Sequence, residues 1–491
     1  MKYIWVAACS FVLLAGAGCN TRQAYRPPAT PIPEAYKEPP PSSFQESKEW
    51  QTANPADGFS RGRWWEIFND PVLNGLEEKA VAANENVKSS AARFQQARAF
   101  VRENRANKFP AVSVAPSIAN ERFSRNRPLA GPGKTTFGDF TLPIDAAWEP
   151  DFWGRIRGQI DASAKAAQSA AADIESVRLS VTADLAFDYF DLRSYDLERS
   201  ILDDAVKTYE RALELTRNRF EGGLANRVDL EEAQTQLEAT RAQAIDITAQ
   251  RARLEHAIAV LTGQPPEGFS LPEQTGFPSP PVIPTGVPSA LLQRRPDIAG
   301  IERQVAAANV QIGVARTAFY PRVLLSAALG LEGTSIANWM NWPSRFWAVG
   351  AAALQPVYDA GRRRAVVDET VAGYDSLVAD YRGAVLTAFQ QVEDNLANLR
   401  VLEQEATRQR AAVEAARRSE ALSMNRYQGG LVTYLEVAIL QAVRLQNERL
   451  AVDIERRRME SSVLLIKALG GGWDAKTLPG ERELAANQQR H

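Results

Sequence analysis

The sequence predicts a mainly α-helical chain of two duplicated halves, each interrupted by a β-hairpin long enough to cross a membrane. Three observations carry this. The stretch Asn218-Arg219-Phe220-Glu221-Gly222-Gly223-Leu224 returns as Asn425-Arg426-Tyr427-Gln428-Gly429-Gly430-Leu431, identical at five of seven positions. Helical periodicity precedes each copy over a length that no globular core is thick enough to hold. Within each half, apolar and polar residues alternate in two short runs, the period of strands.

The repeated stretch sets the plan. A Gly pair after a long helix stops it, because Gly takes the left-handed conformation cheaply. Each copy is therefore a tight turn between two long antiparallel helices. A shift of 207 residues also relates Gly154-Arg155 to Gly361-Arg362, Asp229 to Glu436, Gln234 to Gln441 and Gly263 to Gly470. Upstream, Arg105…Phe109-Pro110 matches Arg316…Tyr320-Pro321, with a few residues gained or lost between. Two unrelated helix stops would explain one Gly pair but not the shared Asn-Arg-aromatic lead-in, so the chain reads as a duplication.

Composition removes several classes of function. Lys and Arg number 57 against 59 Asp and Glu, so no polybasic surface points to nucleic acid. His256 and His491 are the only histidines, too few for a His-based metal or catalytic cluster. Cys9 and Cys19 both lie in the leader, which leaves the body without a disulfide or a thiol nucleophile. The carboxylates are scattered over helix surfaces. No catalytic residue, metal site or cofactor is expected, and an enzyme is the least favoured class.

Met1-Lys2, the apolar run Tyr3 to Ala17 and Gly18-Cys19 form an export signal over residues 1–18, too short to span a bilayer comfortably. Small residues directly before a Cys resemble a bacterial lipoprotein signal, cut before Cys19 and acylated on its thiol. Gly16 stands where such signals usually carry Leu, and Ala15-Gly16-Ala17 also suits ordinary signal peptidase. Asn20 after the Cys favours, by the same resemblance, the outer membrane.

Residues 19–63 are rich in Pro, Ser and charge and should run extended over the body as a tether, with order beginning at Trp64-Trp65. A first repeat then occupies 64–263. Asp70-Pro71 opens a helix as N-cap and first residue, and its periodicity persists to about Asn107, where Pro110 follows. Val112, Val114, Pro116 and Ile118 alternate with Ser113, Ala115, Ser117 and Ala119, and Phe140, Leu142, Ile144, Ala146 and Trp148 with Asp139, Thr141, Pro143 and Asp145. This places a hairpin at about 110–150. Helix follows from about Arg155 to Arg219, about 100 Å at 1.5 Å per residue, with a Leu/Tyr/Val stripe of coiled-coil type. A return helix runs from about Arg227 to Leu261. Residues 264–287 form a Pro-dense connector. The second repeat, 288–473, has a helix from about Leu291 to Phe319, a hairpin at about 321–357, a long helix from Arg362 to Tyr427 and a return helix ending at Gly470. Residues 474–491 are a polar tail, expected to fray.

No segment after the leader has the unbroken apolar run of a transmembrane helix. A membrane crossing would therefore use the strands. One chain offers only four, and lipid does not tolerate an open sheet edge, so closure demands several copies. The alternative is that the hairpins sit in a soluble sheet.

The chain resembles the TolC-type outer-membrane factors, specifically the NodT-like lipoprotein branch that serves resistance–nodulation–division efflux pumps. Trp64-Trp65…Asp70-Pro71, Trp148-Glu149…Phe152-Trp153-Gly154-Arg155, Leu292…Arg294-Arg295-Pro296-Asp297, Tyr320-Pro321, Asp359-Ala360-Gly361-Arg362 and Leu469-Gly470-Gly471-Gly472-Trp473 carry the resemblance, which covers nearly the whole chain. It implies a homotrimer in which four strands from each of three chains close a 12-stranded outer-membrane β-barrel, continued by a long α-helical tunnel across the periplasm. It implies a passive exit duct for drugs or other small molecules. The partners it implies are a periplasmic adaptor (membrane fusion protein), an inner-membrane pump and the lipid of the outer membrane.

The same resemblance assigns residues. Arg219, Gly222, Gly223 and Leu224, with Arg426, Gly429, Gly430 and Leu431, are the turns where adaptor hairpins dock tip to tip. Asp229, Glu232 and Glu436 stand where acidic residues ring the periplasmic gate of the family. Ile439 departs from the second acidic residue that many relatives carry. Helix capping is the competing role for Asp229 and Glu436. Among other functions, a duct for type I protein secretion or metal-ion efflux fits the same architecture. A periplasmic adaptor lipoprotein would show one hairpin followed by β-rich domains, not a duplicated one.

Overall fold

The structure is a computed structural model and describes residues 25–41, 62–124, 126, 135–283 and 291–486. The leader and Cys19 lie outside the described residues. Among these, the first half contains α1 (Pro71–Ala83), α2 (Glu85–Ala106), β1 (Ala111–Val114), β2 (Ser117–Arg122), β3 (Thr136–Trp148), α3 (Arg155–Glu221) and α4 (Arg227–Leu261). The second contains α5 (Leu291–Arg294), α6 (Pro296–Arg316), β4 (Arg322–Gly333), β5 (Arg345–Leu354), α7 (Arg362–Gln428) and α8 (Tyr434–Ala468), and α9 (Glu481–Ala485) follows. The duplication is metrical: α3 and α7 each have 67 residues, and α4 and α8 each have 35.

The long helices are built as their sequences dictate. Ala, Leu, Glu and Arg dominate them, and Leu185, Tyr189, Leu192, Leu202, Tyr209 and Leu213 of α3 are buried at three- and four-residue spacing. Two cores result. The larger joins both halves through Trp64, Leu73, Leu185, Phe190, Ile258, Ile298, Val385, Val392 and Ile466. The smaller lies along the far ends of the long helices, with Leu202, Tyr209, Leu237, Ile247, Tyr427, Tyr434 and Leu445. Trp64 and Trp65 are buried in the larger core, and Trp64 Nε1 donates to Thr182 Oγ1 at 3.1 Å.

The five strands form one antiparallel sheet in the order β1–β3–β4–β5, with β2 also on β3. The first strand of the first hairpin, expected to be continuous, is split. Val114 pairs with Ile144 and Ser117 with Thr141, so the register never slips. In the gap Pro116 and, on β3, Pro143 lack the N–H that the ladder needs. Val114, Ile144, Leu329 and Trp347 stand side by side in one row across the sheet, and Val112, Ala146, Ala327 and Val349 in another. All four of the first row are exposed, with Trp347 72% accessible. The opposite face presents Ser113 and Asp145 in the intervening row.

Three further expectations are corrected. The first helix does not run unbroken from Asp70: Asn84 ends α1, caps α2 through the amides of Asn86 and Val87, and donates from Nδ2 to the Leu261 oxygen at 2.9 Å. The helix expected from about Leu291 to Phe319 is broken at Arg295-Pro296, because the residue before Pro is driven from helical backbone, and it closes in a 3₁₀ turn over Thr317–Phe319. The tail does not fray at once. Helix α9 buries Leu484 against Val101, Ala164 and Ala167.

Candidate functional site

The two Gly turns have one geometry. Leu224 donates its amide to the Arg219 oxygen at 2.7 Å and Gly223 to the Phe220 oxygen at 2.9 Å, with Gly223 at φ +72°. In the second half Leu431 donates to Arg426 at 2.9 Å and Gly430 to Tyr427 at 3.0 Å, with Gly430 at φ +73°. This paired pattern is the Schellman stop, and its left-handed position is why Gly recurs there. Gly222 and Gly429 are the preceding caps. Leu224 is 74% and Leu431 73% exposed, so the two halves end in matching apolar points.

Behind the turns the halves are stitched together. Tyr427 Oη donates to Thr216 Oγ1 at 3.1 Å, Tyr209 Oη to the Gln441 oxygen at 3.3 Å, and the Tyr427 and Tyr434 rings meet edge to face. Sequence reasoning found the matched pair Gln234 and Gln441 but not this tyrosine cluster. The replacement of Phe220 by Tyr427 was its signal, since the added hydroxyl is what reaches Thr216.

The duplicated acidic positions differ. Asp229, 8% exposed, is drawn into its own helix start: Asn226 Oδ1 accepts the Asp229 amide at 2.9 Å, and Asp229 Oδ2 accepts the Asn226 amide at 3.3 Å. That reciprocal box satisfies two orphan donors. Thr433 caps α8 without a side-chain hydrogen bond. Glu436 instead pairs with Arg426 Nη1 at 3.0 Å and keeps 40% of its side chain exposed. Glu232 is half-buried on α4, with Oε2 unpartnered. Ile439 is 54% exposed on the face of α8 that also presents Leu435 and Val443.

The polar seam between α3 and α8 lies farther from the turns. Arg456 reaches Asp453 at 2.7 Å, Asp191 at 3.5 Å and Glu460, while Lys467 lies 3.8 Å from Asp184 and Arg449 pairs with Glu198. Burial, with Asp191 and Asp184 reinforcing it, raises the Asp188 carboxyl to about 6. Burial also raises Glu460 to about 7, with Arg456 opposing and Asp191 and Asp453 reinforcing. Among the described residues no three His, Cys, Asp or Glu side chains are grouped to hold a metal ion, and no helix is long and apolar enough to cross a membrane.

The geometry is that of a conduit wall: paired rods of equal length under a sheet with one apolar face. Known proteins share it. The model of the outer membrane efflux protein family matches residues 76–264 and 287–471. The chain is 28% identical over 474 residues to the probable efflux pump outer membrane protein TtgC of Pseudomonas putida, covering 96% of each. It is 29% identical over 442 residues to the pyoverdine export outer membrane protein OpmQ of Pseudomonas aeruginosa, covering 88% of this chain and 93% of that one. Among solved structures, the outer-membrane channel OprN superposes with a TM-score of 0.83 at 28% identity, over 93% of this chain and 100% of that one. The outer membrane protein VceC of Vibrio cholerae gives 0.77 at 26% identity, over 85% and 100%.

Proposed function

The chain belongs to the outer membrane efflux protein family, and from that premise we propose how its parts build the exit duct of a tripartite pump. Its place is the outer membrane, and its role is transport. The observation that carries the assembly is the sheet. It has two free edges, at β1 with β2 and at β5, and an exposed apolar row that suits lipid. Open edges in hydrocarbon leave main-chain groups unsatisfied at several kcal/mol each. Three chains supply twelve strand positions, β1 and β2 counting as one, and close the barrel. The paired long helices continue it as a tunnel.

The turns at Arg219, Gly222, Gly223, Leu224 and at Arg426, Gly429, Gly430, Leu431 form the docking rim for a periplasmic adaptor. Support comes from their equal geometry and their exposed leucines, which give a trimer six like contact points. An inner-membrane pump of the resistance–nodulation–division type supplies energy and choice of cargo. The gate lies just inside the rim, at Glu436 and Ile439 of α8 with Asp229 and Glu232 of α4. Asp229 is buried in its capping box, whereas Glu436, although paired with Arg426, keeps 40% of its side chain exposed and is the carboxylate better placed to act on ions in the neck. Cys19 carries the lipid that tethers the N-terminus beside the barrel.

Native mass determination of detergent-extracted protein tests the assembly. Three chains are expected, and a monomer or dimer that still conducts ions in planar bilayers overturns it. Intact mass of the same sample tests the anchor, because lipidation adds two or three acyl chains at Cys19 and an unmodified Gly18 start excludes it.

A further inference from the structure

Two extended segments cross the helices, and each is gripped by the long helix of the other half. The segment that precedes the second half is the connector, and it lies on α3. Arg193 Nη1 donates to the Pro272 oxygen at 2.8 Å and to Asp196 Oδ2 at 2.9 Å. Asp196 Oδ2 accepts the Gln274 amide at 3.1 Å, and Arg251 Nη2 donates to the Leu271 oxygen at 2.7 Å. The segment that precedes the first half, residues 25–41, lies on α6 and α7. The two carboxylate oxygens of Glu393 accept successive amides, Lys37 at 2.7 Å and Glu38 at 2.9 Å. Arg400 Nη2 meets Glu38 Oε2 at 2.7 Å, and Arg382 Nε donates to the Ala29 oxygen at 3.3 Å. Tyr25 and Tyr36 pack against the larger core.

The two grips share one duplicated residue, the arginine. The shift of 207 carries Arg193 onto Arg400 and Asp196 onto Glu403. In both halves the same arginine of the long helix meets an incoming strap that contains Pro: Leu271-Pro272 in one, Glu38-Pro39-Pro40-Pro41 in the other. Such segments suit a side-chain clamp. Pro holds the backbone extended and offers no N–H, so the few amides left decide the binding. A carboxylate that takes two of them makes charge-assisted bonds, about twice as strong as neutral ones.

We propose that Glu393 and Arg400 form a docking site for an extended, proline-rich peptide, whose native occupant is residues 36–41 of this chain. Arg400 is the duplicated counterpart of Arg193 in the clamp on the connector, whereas Glu393 stands opposite Ala186 and belongs to the second half alone. Each half thus clasps the extended segment that precedes the other.

The test is hydrogen exchange by mass spectrometry on the full chain. In Glu393→Ala the amides of Lys37 and Glu38 should exchange at least tenfold faster, while α7 around Gln391 and Asn395 keeps its protection. Unchanged exchange at Lys37 and Glu38 overturns the proposal, as does loosening spread evenly over the whole protein. Should Glu393→Ala fail to fold, Glu393→Gln decides. It keeps one acceptor oxygen and turns an NH₂ toward the second amide, so one of the two amides should exchange faster, and no change at either refutes the site. A second measurement uses a full-length variant with residues 25–41 replaced by Gly and Ser. It should bind a synthetic Tyr25–Pro41 peptide, and Arg400→Ala in that background should weaken binding at least tenfold. Binding indifferent to Arg400, or no binding, overturns the proposal.

Discussion

Arg219 and Arg426 stand at the same position of the two halves yet hold different partners. Arg219 crosses to the other half, donating from Nη1 to the Gln428 oxygen at 3.1 Å, with its guanidinium 4.8 Å from the Tyr427 ring centre. Arg426 stays within its half, on Glu436. The first-half arginine thus caps the last carbonyl of α7, where a cation is favoured by the helix dipole.

Arg219→Ala should therefore loosen the second turn more than the first. Cation–π contact and one charged hydrogen bond together contribute about 1–2 kcal/mol. The amides of Gly430 and Leu431 should exchange about tenfold faster. Arg426→Ala should leave Gly223 and Leu224 as they were.

The two acidic positions separate by experiment. Asp229→Ala removes half of a capping box and should cost about 1 kcal/mol per chain, lowering the thermal midpoint with little effect on conduction. Glu436→Ala should lower cation selectivity and weaken block by divalent cations in single-channel recordings, with stability nearly kept. Equal effects of the two substitutions on selectivity would contradict this division.

The seam between α3 and α8 predicts a pH dependence. The Glu460 carboxyl lies at about 7 in the folded chain against an ordinary 4.5. Since the folded value is the higher, the stability it contributes is complete below about pH 4.5 and is lost as pH rises through about 7. Glu460→Gln behaves as a permanently protonated side chain. It should match the wild type near pH 4 and exceed it at pH 8, by on the order of 1–2 kcal/mol. Denaturant midpoints at the two pH values measure this.

Gly470 ends α8 at φ +91°, and a Cβ there would lie 2.1 Å from the Arg294 oxygen. The neighbour is main chain and cannot rotate away. Gly470→Ala should cost about 2–4 kcal/mol and reduce the yield of folded protein, whereas Gly480→Ala, with open space around it, should be tolerated.

Much of this was legible in the sequence because it is periodic. The 67-residue helices, the two turns and the strand alternation are local patterns, and the 207-residue shift reported them twice. What escaped depends on neighbours. The break at Asn84 is a contact with Leu261, far along the chain. The helix at Glu481–Ala485 is too short to carry a period and is anchored by Leu484 against Val101, Ala164 and Ala167. At the tips, Asp229 and Glu436 looked equivalent in sequence. Their environments diverge because Asn226 can close a box and Thr433 does not.

The equal lengths of α3 and α7 have a consequence for how such a chain can vary. One residue inserted in either would lower its end by 1.5 Å and swing every later side chain through about 100°. The Tyr427–Thr216 bond would be lost at once, and the rim would no longer be level. Length changes in the rods must therefore come in matched pairs, one in each half, and their size must restore the angular phase of the buried stripe. Single insertions are tolerated outside the rods, away from the clamped residues 271–274 of the connector and from Leu484 in the tail. The tunnel is thus a gauge with two identical scales, and neither scale can be re-ruled without the other.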